Sequence, residues 1–82
     1  MVEVYKTDIK DSNQAREVYL QLKIRFPYYE INFDLEDSDR ILRVESSVIN
    51  IEDDVIMDVV QSSGYYIEIL SDEPIYTNSK RY

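Results

Sequence analysis

Residues 29–36, YEINFDLE, alternate apolar and polar side chains at every position. Because successive side chains of a β-strand point to opposite faces of its sheet, this alternation predicts a strand with one buried face and one face in water. A polar turn follows at residues 37–40, and Leu42 and Val44 then continue the inward-facing pattern. The sequence therefore predicts a β-hairpin near its centre.

A helical pattern precedes the hairpin. Its apolar side chains recur at the spacing of one helix face: Ala15, Val18, Tyr19, Leu22 and Phe26. Asp11 and Gln14 are spaced as in a capping box, although Ser12 is a second candidate for the cap. Pro27 cannot continue a helix. We therefore predict a helix that begins near Asp11 and ends before Pro27.

A second helical pattern follows the hairpin. Its apolar side chains are Ile51, Val55, Ile56, Val59 and Val60. Asn50 is the expected N-cap, and Gly64 stands where a left-handed residue usually ends a helix. Residues 65–70 then alternate again, which predicts a last strand.

The beginning of the chain predicts a first strand. Val2 and Val4 alternate with Glu3 and Tyr5, and the pattern continues to about Thr7. We expect Val4 to face the core and Tyr5 to face away from it.

These elements follow one another as strand, helix, strand, strand, helix, strand. Each strand-helix-strand half needs a right-handed crossover, which places both helices on one face of the sheet. We therefore predict an α+β fold, a ferredoxin-like βαββαβ sandwich with an antiparallel sheet in the order 4-1-3-2, as a single domain over residues 1–70. Residues 71–82 lack periodicity and are predicted to form a flexible C-terminal tail. The predicted core consists of Val4, Val18, Leu22, Ile31, Phe33, Leu42, Val44, Val55, Val59 and Ile67.

The composition excludes several kinds of chemistry. The 82 residues include no cysteine and no histidine. The chain therefore has no disulfide, no thiolate metal site and no cysteine nucleophile, and it lacks the usual general base. No catalytic pair of side chains has a recognisable motif, so we expect no enzymatic activity and no cofactor.

Charge and hydropathy argue against two classes of partner. Seventeen acidic and nine basic residues give a net charge of -8, which repels the phosphates of nucleic acids. No segment has the length and hydropathy of a membrane span, and the first residues do not resemble a signal peptide. We therefore expect a cytoplasmic protein that binds neither nucleic acid nor membrane.

The order and spacing of several landmarks resemble the heavy-metal-associated (HMA) domain. The resemblance covers residues 2–70 and rests on five groups of residues: Val18 with Leu22, residues 34–36, residues 42–44, Val55 to Val60, and Gly64-Tyr65 ahead of residues 68–70. In that family the loop after the first strand carries Met-Thr-Cys-x-x-Cys, whose two thiolates hold a soft metal such as copper. Here Asp11 and Gln14 stand at the cysteine positions, and neither offers the sulfur that Cu(I) prefers. The resemblance therefore implies a member that has lost thiolate metal binding.

Two functions remain open from the sequence. The first is a non-catalytic interaction or regulatory module that works through the helix-free sheet face or an edge strand. The expected interaction face consists of Tyr5, Arg43, Tyr66 and Glu68, because tyrosine suits protein interfaces. The alternative is a residual metal-ion-binding domain that uses Asp11 and nearby oxygen ligands. We expect a protein partner, and a chain that is monomeric or self-associates only weakly.

Overall fold

The computed structural model describes residues 1–47 and 50–70, and over these residues it confirms a small α+β fold with four antiparallel strands in one sheet and two helices. The elements are β1 (Val2–Thr7), α1 (Ser12–Arg25), β2 (Glu30–Asp34), β3 (Ile41–Glu45), α2 (Asp53–Ser62) and β4 (Ile67–Ile69). The tail predicted at residues 71–82 lies outside the described residues. In the described part of the chain, neither helix is long and apolar enough to cross a lipid bilayer.

The strands lie side by side in the order β2-β3-β1-β4. Counted from the opposite edge, this order is 4-1-3-2. Each neighbouring pair is antiparallel, and β1 at the centre sets Tyr5 opposite Leu42 of β3 and Ile69 of β4. Phe33 of β2 lies opposite Leu42 on its other side. Strands β2 and β4 therefore form the two edges of the sheet.

The core lies where the helices pack against the sheet. Seven predicted core residues are buried there: Val18, Leu22, Ile31, Leu42, Val44, Val59 and Ile67. Phe33 is half-buried and packs against this cluster. Seven of the ten predicted core residues thus lie among those that hold the fold together by removing apolar surface from water.

The predicted orientation of β1 was wrong. Tyr5 is fully buried and belongs to the core, whereas Val4 is half-buried and lies outside the core cluster. The tyrosine ring removes more apolar area from water than a valine does, and its hydroxyl finds a partner in Asp53, at 2.5 Å. A single buried residue therefore sets which face of β1 meets the helices, since a strand alternates strictly.

The start of α2 also differs from the prediction. Asn50 is not its cap, because the N-cap position is Glu52, which forms no side-chain capping bond. The hydroxyl of Tyr29 lies here instead, donating to the carbonyl of Asn50 at 3.0 Å and accepting from the backbone N–H of Glu52 at 3.1 Å. Val55 consequently lies in the first turn at the flank of the core, and it is half-buried. The fully buried positions of α2 are Ile56 and Val60.

The remaining helix ends agree with the prediction from the sequence. Asp11 is the N-cap of α1, and Pro27 lies just beyond its C-cap, Phe26. Gly64 adopts φ 96°, a left-handed conformation that glycine accepts at no steric cost, and its N–H donates to the carbonyl of Gln61. The chain thereby leaves α2 and turns back towards β4.

Candidate interaction surface

Asp11 and Gln14, the two residues that the predicted resemblance sets at the HMA cysteine positions, both form hydrogen bonds at the start of α1. The Asp11 carboxylate accepts from the backbone N–H of Gln14, and the Gln14 side-chain oxygen accepts from the backbone N–H of Lys10, both at 2.9 Å. The Asp11 bond satisfies an N–H group that a helix start leaves without an internal partner, and the Gln14 bond ties the residue before the cap to the first turn. Both side chains therefore have a local structural role.

Acidic side chains do not assemble into a metal-ligand group in residues 1–47 and 50–70. No set of three or more aspartate and glutamate side chains in that part of the chain is close enough to hold one ion. Asp11 in particular has one carboxylate oxygen engaged in the helix cap.

Three of the four residues predicted to form an interaction face lie on the helix-free side of the sheet. Strand alternation puts Arg43 and Glu68 on the side opposite the buried Leu42 and Ile67. Tyr66 joins them, since its hydroxyl donates a hydrogen bond to the Glu68 carboxylate. That bond, followed by partial burial, raises the pKa of Tyr66. The fourth residue, Tyr5, is on the helix side and is not part of this face.

An open groove lies between the first half of α1 and strand β2, with a volume of about 710 Å³. We call it the edge groove, and it is lined by Ser12, Asn13, Ala15, Arg16, Tyr19, Phe33, Asp34, Leu35 and Glu36. Phe33 and Leu35 are half-buried, and Tyr19 is 37% exposed. The groove therefore offers apolar surface that the fold itself does not fully cover.

The backbone of β2 is open along the same groove. Met1 and Ser46, which flank the paired strands β1 and β3, exchange two hydrogen bonds, at 2.6 and 2.9 Å. Because backbone groups alternate between the two sides of an antiparallel strand, the odd-numbered residues of β3 face β2, and the even-numbered residues of β2 face β3. The N–H and C=O groups of Ile31 and Phe33 therefore point outward, and no described strand pairs with them there.

The helix-free side of this edge is acidic. Glu30, Asn32 and Asp34 are exposed along β2, and Glu36 follows them. Glu30 lies directly opposite Glu45 of β3, which is an unfavourable pairing of like charges. In the described residues, the structure shows an ion pair between Lys6 and Asp39 at 3.7 Å, and this pair does not involve the acidic residues of β2. Arg43, opposite Asn32 on the same side, lies between Glu30 and Asp34, but among the residues that the structure describes no ion pair joins it to either carboxylate. The row therefore keeps an excess of negative charge.

Sequence reasoning identified β2 as an edge strand with a polar outer side but did not find the groove. Its existence depends on how far α1 stands from the edge strand, which no periodic pattern encodes. The available signal was Phe33, an aromatic residue on an edge strand, which a single helix can cover only in part.

No family model, curated protein or solved structure matches this chain. A function for this chain is therefore inferred from its surface geometry.

Proposed function

We propose that this chain is a non-catalytic interaction module with a ferredoxin-like topology, which binds a partner protein through the edge groove. The proposal rests on one observation, that unpaired backbone groups and incompletely buried apolar side chains lie side by side at the β2 edge. The backbone groups of Ile31 and Phe33 point outward from an edge strand, and half-buried apolar side chains line the groove beside them. Edge strands of this kind bind extended segments of other proteins by adding a strand to the sheet.

The resemblance to the HMA family supports this proposal in one respect. In this interpretation the chain has kept the arrangement of two helices on a four-stranded sheet and has lost the metal chemistry. Asp11 and Gln14 form hydrogen bonds at the start of α1, at the positions where the resemblance sets the family's metal-binding cysteines. The alternative function, a hard-cation site around Asp11, has no specific contact that favours it.

Filling the groove tests this function without disturbing the core. Asn13 lines the groove and is exposed, so Asn13→Trp should occupy the space that a partner needs. Gln21→Trp places the same residue at an exposed position of α1 outside the groove lining and serves as the matched control. The wild type and both variants are used for affinity capture from cells that express the protein, and each captured protein is then purified and titrated directly.

We expect at least one partner that binds the wild type and Gln21→Trp with equal affinity and loses about tenfold or more with Asn13→Trp. Circular dichroism checks that both variants keep the wild-type fold. Partners that bind all three chains equally, or the absence of any partner that binds the purified wild type, would refute the proposed function.

A further inference from the structure

We infer that the edge groove takes an extended cationic peptide, in which lysine or arginine alternates with branched apolar side chains, as a fifth strand beside β2. This inference rests on the proposed function and specifies the chemistry of its partner. It follows from three properties of β2: where its backbone points, what lies on each of its two faces, and which charge those faces carry.

The backbone sets the conformation of the partner. Outward N–H and C=O groups at Ile31 and Phe33 are spaced to exchange hydrogen bonds with every second residue of an extended chain. A helix or a compact loop cannot match this two-residue repeat. The partner segment is therefore a strand, and its side chains must alternate between the two faces of the enlarged sheet.

The two faces then require opposite kinds of side chain. On the helix side, the added strand would lie over the groove between α1 and β2, where Tyr19, Phe33 and Leu35 offer apolar contact. On the helix-free side it would run beside the exposed carboxylates of Glu30 and Asp34. Apolar residues on one side and cations on the other give the alternating pattern.

The apolar lining of the groove explains why the cations must alternate and not form a block. Tyr19, Phe33 and Leu35 offer contact to apolar side chains on the helix side, and a charge pressed against them would lose hydration. Lysines that point to the helix-free face avoid this contact. A uniformly basic segment would satisfy Glu30 and Asp34 but would also bring charge into the apolar part of the groove.

The same charges disfavour a second copy of this chain as the occupant. An antiparallel pair of β2 strands centred on Asn32 would set Glu30 of each copy opposite Asp34 of the other. Directly opposed like charges destabilise a cross-strand pair. In this register the acidic row therefore favours a partner of opposite charge over a second copy of the chain.

Strand β4 is the weaker candidate for strand addition. It spans three residues, against five in β2, and its carboxylate at Glu68 already accepts the hydroxyl of Tyr66. The edge groove lies at the other edge of the sheet, between α1 and β2.

The test uses the full chain and three synthetic peptides of equal length. The first alternates lysine with valine and isoleucine, the second has the same composition with its lysines in one block, and the third replaces lysine by glutamate. Binding is measured by fluorescence anisotropy, and the contacted residues are located from amide shifts of the ¹⁵N-labelled protein.

We expect the alternating cationic peptide to bind at least about tenfold more tightly than either of the others. Its binding should shift the amides of residues 30–36 and of the first half of α1, and weaken as salt rises. The double variant Glu30→Gln with Asp34→Asn should lose most of this preference. Asp54→Asn with Asp58→Asn, which changes net charge equally at exposed positions of α2, should retain it.

Equal losses in both double variants would mean that the peptide responds only to net charge and would overturn the inference. Amide shifts confined to β4, or no preference for the alternating order, would do the same. A partner that is captured in a groove-dependent way while the alternating peptide does not bind would leave the proposed function intact and refute the cationic strand alone. Peptide binding at β2 without a groove-dependent partner would instead count against the proposed function.

Discussion

Tyr5 is the residue that decides how the sheet meets the helices. Its ring is fully buried, and its hydroxyl donates to Asp53, the first residue of α2. The Asp53 carboxylate also lies at the positive end of the α2 dipole, so it interacts favourably with both the helix end and the Tyr5 hydroxyl. Burial raises the pKa of Tyr5, and the hydrogen bond and negative charge of Asp53 raise it further. The native state therefore strongly favours the neutral phenol.

This shift predicts an alkaline loss of stability that depends on Tyr5. A phenol whose pKa is raised by folding adds stability that is complete below its unfolded pKa of about 10 and is lost as the pH rises above that value. We expect the free energy of unfolding, measured with urea, to fall above about pH 10. Tyr5→Phe should cost about 1 to 3 kcal/mol at neutral pH and reduce this alkaline decline.

Tyr28→Phe is the matched control for that experiment, because Tyr28 is 75% exposed and lies outside the core. Lysine ionisation affects both variants alike, so it cancels from the comparison. An alkaline decline in Tyr5→Phe as steep as in the wild type would show that Tyr5 does not cause it.

Among the secondary-structure elements, the sequence patterns correctly predicted the features that depend only on nearby residues. The alternation in residues 29–36 and the Asp11 cap needed no distant partner, and both agree with the structure. The face of β1 and the start of α2 could not be obtained in this way. Tyr5 is turned inward by Asp53, 48 residues away, and Asn50 is bypassed because the Tyr29 hydroxyl bonds the backbone there.

The candidate site was likewise predicted where local patterns sufficed and missed where distant contacts decide. Strand alternation alone put Arg43, Tyr66 and Glu68 on the helix-free face, and the same argument failed for Tyr5 because β1 is apolar enough on both sides to permit either orientation. The edge groove arises from the packing of α1 against β2, so no single segment contains it.

The start of α1 offers a direct test of the HMA resemblance. Asp11→Cys with Gln14→Cys restores the cysteine spacing of that family at a helix N-terminus, which lowers thiol pKa and favours the thiolate. We expect the wild type not to bind Cu(I) and the double variant to bind one Cu(I) per chain, measured by competition with a chromogenic chelator. Loss of the cap should cost about 1 kcal/mol, so the variant should stay folded.

A second pair, Lys10→Cys with Asn13→Cys, shifts the spacing by one residue at exposed positions and controls for the register of the resemblance. If both pairs remain folded by circular dichroism and neither gains Cu(I) affinity over the wild type, the loop does not have the geometry of the family's metal loop.

For the whole molecule, the distribution of charge matters more than its total. The net charge of -8 opposes association in general, but the row at Glu30 and Asp34 lies on the edge where two copies could otherwise pair. Backbone geometry alone would permit that pairing, with Ile31 of one copy exchanging hydrogen bonds with Phe33 of the other. The carboxylates on β2 therefore protect an edge whose backbone is open.

Reversing one charge on β2 should change the oligomeric state. In the two-fold pairing of β2 strands, Asp34→Lys replaces two repulsive pairs with Glu30 by two attractive ones, each worth about 0.2 to 1 kcal/mol. Sedimentation velocity should therefore find the wild type monomeric in dilute solution and Asp34→Lys more dimeric at equal concentration, whereas Asp58→Lys, with the same net charge, should behave like the wild type. A tight wild-type dimer would contradict the prediction, and one formed through β2 would contradict the role assigned to Glu30 and Asp34 as well.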